Sequence, residues 1–409
     1  MHLSKNRKLS LASVFFTFFV DNLCWSIVFP IFAPYFLDPT NRLFSADVSE
    51  ATRTALLGFF LMAFSLGQFL GAPILGEYAD RHGRKKAFVL SILFTLGGLA
   101  LSAWAMGTNN LPLLFIGRLV TGIFASNMAI CLACVSDLSH DEKSKVKNFG
   151  YLSVLAGLSF ILGAFLGGKL SDPTVDPDFS PSVPLWLASG MTLFNLLFII
   201  FAFRETTHVD PSVKFKLFES FRNLKMALKT EKIKRIYLIY FLFLFAWTIL
   251  FQFTPVLVVQ RFSFTGSDIG DLALYMGLCW AIGSGYLNKL LLRYFFPLRI
   301  LELCLLAFTV LCGAIVLTHH LQTTLGILGA SVMIGGLAWP LCTGVISNLA
   351  PKEIQGKILG MSQSVQSLAM TVAPLAGGFA YRFSLDLVFF VGAGASLIAG
   401  IVYFSLKER

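Results

Sequence analysis

Gly76-Glu77-Tyr78-Ala79-Asp80-Arg81-His82-Gly83-Arg84-Lys85-Lys86 is the stretch whose reading decides the fold. Four bases and two acids crowd into it, yet residues 54–75 before it and 87–106 after it are apolar. Each flank is long enough to cross a bilayer as a helix, which takes about 20 residues. A charged hairpin over 76–86 between two such spans makes the chain a polytopic membrane protein and fixes which side that hairpin faces.

Composition agrees. The 409 residues are 56% hydrophobic and 13% charged, whereas a soluble domain carries about 25% charge. No soluble core hides that much apolar surface, so lipid is the natural solvent. The net charge of +10 invites a nucleic-acid reading. It fails because the bases lie in short loops between apolar spans and form no continuous patch. The seven cysteines (Cys24, Cys131, Cys134, Cys279, Cys304, Cys312, Cys342) fall in or beside spans. Cys131 and Cys134 form a CxxC inside an apolar stretch with no second pair, which reads as packing rather than redox chemistry or zinc. His319-His320 lacks further ligands, so no metal and no cofactor is assigned.

Twelve spans fit: 10–37, 54–75, 87–106, 110–136, 146–170, 183–203, 235–259, 268–290, 298–318, 322–349, 357–381 and 385–405. The first follows Lys5, Arg7 and Lys8 and contains Asp21, so it is read as a retained span rather than a cleaved leader. With both termini in the cytoplasm, only Arg42, Arg53, Lys169, Arg261 and Arg382 of the 32 bases fall outside, and Arg118 lies within a span. That bias sets the orientation. Residues 204–234 form a long cytoplasmic linker between two six-helix halves, 1–203 and 235–409. In it Leu217, Phe221, Leu224 and Leu228 recur at helical spacing, readable as an interfacial helix on membrane lipid or as a solvated tether. The halves look duplicated. Lys147, Gly150, Gly167 and Gly168 match Lys357, Gly360, Gly377 and Gly378 in one frame, and Pro30 matches Pro255 in another. Paired halves point to a transporter with its site between them near the midplane.

The hairpin resembles the loop between helices two and three of the major facilitator superfamily, Gly-x-x-x-Asp-Arg-x-Gly-Arg-Lys/Arg. Gly76, Asp80, Arg81, Gly83, Arg84 and Lys85 fill every signature position. The resemblance implies an all-α membrane protein of twelve transmembrane helices in two pseudo-symmetric six-helix bundles. It also implies a cytoplasmic latch in which Asp80 faces the positive N-terminus of helix eleven, near Gly356. Positive-inside anchoring alone explains the bases, but not Asp80 with its spaced glycines.

Arg118 lies inside the fourth span, where a base costs at least about 2.5 kcal/mol on insertion scales. It needs a partner or a watery cavity. Its setting, Gly117 to Gly122, resembles the superfamily's Arg-x-x-x-Gly, which implies a part in proton transfer; a purely structural ion pair is the rival reading. Asp21 lies about 16 Å into the first span at 1.5 Å per residue, near the midplane. With Pro30 and Pro34 it resembles helix one of tetracycline/proton and related drug/proton antiporters. Burial disfavours the charged form of a carboxyl group, so Asp21 could alternate between carrying a proton and facing substrate, or a salt bridge to Arg118 could be made and broken. A packing hydrogen bond is the plainer alternative. Gly163, Gly167 and Gly168 resemble the family's antiporter motif in helix five, with Ala164 where that motif has proline. Small residues also serve close helix approach alone, as Gly67 and Gly71 are expected to do.

The cavity should be formed by helices one, four, seven and ten. Its candidate lining is Asp21, Asn22, Trp25, Asn127, Trp247, Gln252, Trp280, Trp339 and Asn348, with Gln363 and Gln366 from helix eleven. Aromatic walls with a few amides suit an amphiphilic organic ligand, and the absence of a cationic cluster argues against a highly anionic one. The expectation is a monomeric transporter, not an enzyme, in a bacterial inner membrane, exporting small organic molecules against protons. The alternative is proton symport importing a nutrient or siderophore-like metabolite, and a third reading is a sensor without turnover.

Overall fold

In hydrocarbon a backbone must satisfy its own polar groups, and a helix does so residue by residue. The computed structural model describes residues 5–45, 47–125, 127–139, 141–206, 231–348 and 355–407. Among them there is no strand. The helices are α1 (Lys5–Ser26), α2 (Phe32–Leu37), α3 (Glu50–His82), α4 (Arg84–Gly107), α5 (Leu111–Phe124), α6 (Asn127–Asp137), α7 (Glu142–Ser171) and α8 (Val183–Ala202). They continue with α9 (Glu231–Phe262), α10 (Gly266–Ala281), α11 (Pro297–Ala314), α12 (Leu321–Asn348), α13 (Gln355–Tyr381) and α14 (Leu385–Lys407). A π-helical turn, Ile282–Leu287, prolongs α10. Nine of the described helices are long and apolar enough to cross a bilayer. The all-helical membrane fold is therefore the observed one. The proposed linker helix falls within residues 207–230, outside the described residues.

Three details depart from the expected spans. The hairpin at 76–86 is not an open loop: α3 stays helical through His82, and Gly83 alone separates it from α4. Gly83 has φ +95° and ψ 154°, an essentially glycine-only conformation that costs other residues about 1–3 kcal/mol, so two helices abut across one residue. The first span, expected to run from 10 to 37, breaks after Ser26. Pro30 offers no N–H and its ring would strike the carbonyl of residue 26. Phe29 N–H bonds to Ser26 O and Ile31 N–H to Val28 O instead, a tighter turn. The span at 110–136 is divided into α5 and α6.

Among the described residues, close backbone crossings tie the N-terminal helices to the C-terminal ones at the face opposite Gly76–Lys86. A Cβ on Gly58 of α3 would lie 2.4 Å from the Pro374 carbonyl oxygen of α13, and one on Gly168 of α7 would lie 2.5 Å from Gly266 O at the start of α10. At the other ends of α3, α7 and α10, a Cβ on Gly76, Gly150 or Gly285 would meet nothing within 4 Å. Among the described residues the helices thus pack tightly at the face opposite Gly76–Lys86 and diverge toward the basic face.

Candidate functional site

The α1 break shapes the centre. Ser26 Oγ donates to Leu23 O and to Ser159 O of α7. A side chain on Gly163 would strike Ser26 Oγ, and one on Gly167 would strike Ile27 O at 2.0 Å. Gly163 and Gly167 therefore let α7 close on the broken helix, while Gly168 serves the crossing to α10. Gly67 and Gly71 similarly bring α3 against the backbone of α5.

A cavity of about 60 Å³ opens between α1 and α2, α3, α5, α9 and α13. Its lining includes Trp25, Phe29, Phe32, Phe64, Gln68, Arg118, Phe251 and Gln252. Arg118 is 4% exposed. Its guanidinium carbon lies 4.5 Å from the Phe64 ring centroid, 5.2 Å from Phe32 and 5.9 Å from Phe60. Arg118 Nε has no acceptor, and no described carboxylate forms an ion pair with it. Cation–π contact with desolvated rings compensates part of the burial cost. Gln252 Oε1, across the cavity on α9, also lacks a partner.

Asp21 does not meet Arg118 here. It stands beside Asn127 of α6, yet Asp21 Oδ2 and Asn127 Nδ2 have no partner in hydrogen-bonding geometry. Asn127 Oδ1 accepts from Ser91 Oγ of α4. The acid and the base thus stand apart, with Asp21 against α6 and Arg118 in the cavity under the α1 break.

Other candidates scatter. Trp25 stacks with Phe251 at 6.1 Å and 5°, so one ring from each half of the sequence meets in the cavity wall. Trp247, 6% exposed, packs on Trp280, which in turn meets Trp339 edge-on; these three form an adjoining cluster rather than the cavity lining. Asn22 Nδ2 turns back to Phe18 O. Gln366 Oε1 accepts from Tyr240 OH, whereas Gln363 is exposed on α13. The Asn348 side chain lies outside the described residues. Phe251, Phe64 and Gln68 were missed as lining residues. Phe251 lies on the same helix as Trp247, but among 42 phenylalanines nothing singles it out.

On the basic face, Arg84 Nη1 pairs with Asp80 at 2.8 Å and Arg84 Nε lies 3.9 Å from Asp137. Arg81 is exposed. The α4 N-terminus is occupied by Glu205, which accepts from the Arg84 and Lys85 amides at 2.9 and 3.0 Å. Residues 349–354, before the expected α13 partner of Asp80, lie outside the described residues. On the opposite face, Lys169 Nζ reaches Ser267 Oγ at 2.7 Å and Asp271 at 2.8 Å. Asp172 accepts the Ser267 amide at 3.0 Å and the Thr174 amide and hydroxyl. Burial pushes the Asp172 carboxyl up, but these hydrogen bonds and Thr265 outweigh it and hold it below the usual carboxylate range. Arg53 and Arg261, two more of the exceptional bases, bind backbone carbonyls, and Arg261 also pairs with Asp386. These bases are therefore structural ties rather than violations of the charge bias.

The family model described as Major Facilitator Superfamily matches residues 14–336 and 299–409. Multidrug resistance protein 2 of Bacillus subtilis (strain 168) is 25% identical over 84% of each chain. Tetracycline resistance protein, class E, of Escherichia coli is 22% identical over 97% of this chain and 94% of its own. The crystal structure of the human organic anion transporter MFSD10 (TETRAN) aligns with a TM-score of 0.71 at 20% identity, covering 97% of this chain and 99% of that one. At that identity the structural likeness bears on fold alone.

Proposed function

Since this chain belongs to the Major Facilitator Superfamily and is an integral multi-pass membrane transporter of small molecules, we propose that it exports amphiphilic organic molecules from a bacterial cytoplasm in exchange for protons. Residues 1–203 and 235–409 act as two bundles that rock about the central cavity, with 204–234 as their tether. Gly76–Lys86 and both termini face the cytoplasm, in keeping with the distribution of bases. The tight crossings at the opposite face and the divergence at the basic face then correspond to an inward-facing form.

One observation carries the coupling. Asp21 places a buried carboxylate oxygen with no partner inside a membrane helix, five residues before α1 ends at Ser26. An uncompensated charge there is costly, so the group is most stable holding a proton and loses it only when its surroundings change. Rocking of the C-terminal bundle against α1 supplies such a change. Arg118 supplies positive potential in the cavity, and Asp80 with Arg81 and Arg84 shapes the cytoplasmic end. The multidrug and tetracycline resistance relatives support export of organic compounds. The test uses proteoliposomes with an imposed pH gradient and tetracycline and ethidium as probes. Asp21→Asn, folded by thermal melt, is expected to lose gradient-driven accumulation. Undiminished accumulation by that variant defeats the proposal.

A further inference from the structure

Arg118 and Gln252 approach one cavity from α5 and α9, and each presents a polar atom with no protein partner. The walls between them are aromatic: Trp25, Phe32, Phe64 and Phe251. A guanidinium is always charged and offers a planar fork that matches a carboxylate with two parallel hydrogen bonds. Burial strengthens such a pair and makes its absence costly. A single base with no described acid paired to it calls for one negative charge, and the flat apolar walls exclude a compact hydrated anion.

From this geometry we propose that the transported class includes aromatic monocarboxylates, with the carboxylate on the Arg118 fork and a hydroxyl or amine at the far end on Gln252. The proposal rests on the transport-site reading above and deepens it. It stays within the expectation against a highly anionic ligand: one caged guanidinium suits a monoanion, though not a polyanion. The cavity of about 60 Å³ holds a few waters, so entry of an aryl ring requires the helices around it to part, as a transport cycle does.

The test is binding to the full chain in nanodiscs, read by ligand fluorescence polarisation, with 6-hydroxy-2-naphthoate, its carboxamide, and tetraphenylphosphonium. Wild type is expected to prefer the carboxylate over the carboxamide by about 10- to 100-fold, the range of a charge-assisted hydrogen bond. Arg118→Lys keeps the charge, loses the fork, and should cut that preference about tenfold. Gln252→Leu should weaken hydroxynaphthoate while leaving unsubstituted 2-naphthoate unchanged. Equal affinity of wild type for carboxylate and carboxamide, or binding of the cation alone, overturns the proposal. Should the Arg118 variant not fold, the wild-type comparison still decides. If naphthoate is not discriminated while Asp21-dependent export of tetracycline persists, only this inference falls. If naphthoate is discriminated yet transport ignores the pH gradient, proton coupling falls and this inference stands.

Discussion

Gly83 and Glu205 form a small machine at the residue scale. The backbone conformation at Gly83 turns two helices into a corner, and its missing Cβ leaves the space that Glu205 Oε2 enters, 2.4 Å from where a Cβ would stand. Gly83→Ala should therefore cost about 2–4 kcal/mol, from positive-φ backbone strain plus displacement of the cap. Glu205→Gln should cost less, about 0.3–1 kcal/mol, because that carboxylate is exposed and screened. Both substitutions act on one cap, so the double variant should lose less than the sum. Thermal unfolding in detergent at low and high salt checks this; strict additivity, or no salt dependence for Glu205→Gln, counts against it. The glycine was legible in the sequence because it belongs to a spaced pattern. Glu205 was not: an acid just after a span looks like any loop residue until folding returns it to a helix start 120 residues away. The position of Asp21 within a span was legible too, but its neighbour was not, since side-chain direction around a broken helix does not follow from periodicity.

At the element scale, the α7–α10 crossing is held by Gly168 and Gly270 in backbone contact and by Lys169 and Asp172 at its rim. Sequence spacing revealed the glycines of α7. It could not pair Lys169 with Asp271, because that requires knowing which helices of a duplicated fold cross. The break in the 110–136 span was illegible, since an apolar run reads alike whether or not its helix is interrupted, whereas Pro30 marked the α1 break even though the expected first span runs through it. The rim has a defined pH dependence. The part of the lowering of Asp172 below the ordinary carboxylate value, near 4, that comes from Thr265 and Ser267 exists only while this face is closed. Its contribution to closure is then complete above that ordinary value and drains away as pH falls through the lower, closed-form value. Between pH 6 and 8 wild-type closure should not respond to this group, whereas Asp172→Asn should open the face at every pH. Distances between spin labels at Val175→Cys and Phe383→Cys, both exposed positions on that face, report the change. A distance distribution identical to wild type in the asparagine variant excludes Asp172 as a closing element.

At the scale of the whole molecule, transport by rocking bundles requires the close crossings at the α7–α10 rim to come apart once per cycle. Ser171 Oγ lies 2.7 Å from where a Cβ on Gly266 would stand. In a disulfide the corresponding sulfur-to-Cβ separation is about 3 Å, given an S–S bond of about 2.05 Å. Ser171→Cys with Gly266→Cys should therefore cross-link under mild oxidation, and the seven native cysteines, all free and buried, should compete little. The cross-link joins the N-terminal and C-terminal helices at one face and leaves the basic face free. Net transport should fall to background and return on reduction, while ligand still binds from the basic side with its affinity within about twofold of the reduced protein, a difference below about 0.4 kcal/mol. That combination separates a blocked conformational step from a damaged site, because damage would weaken binding and reduction would not repair it. Wild-type transport through a fully cross-linked protein would mean that the α7–α10 crossing is static, and the route across the membrane would have to lie within one bundle rather than between two.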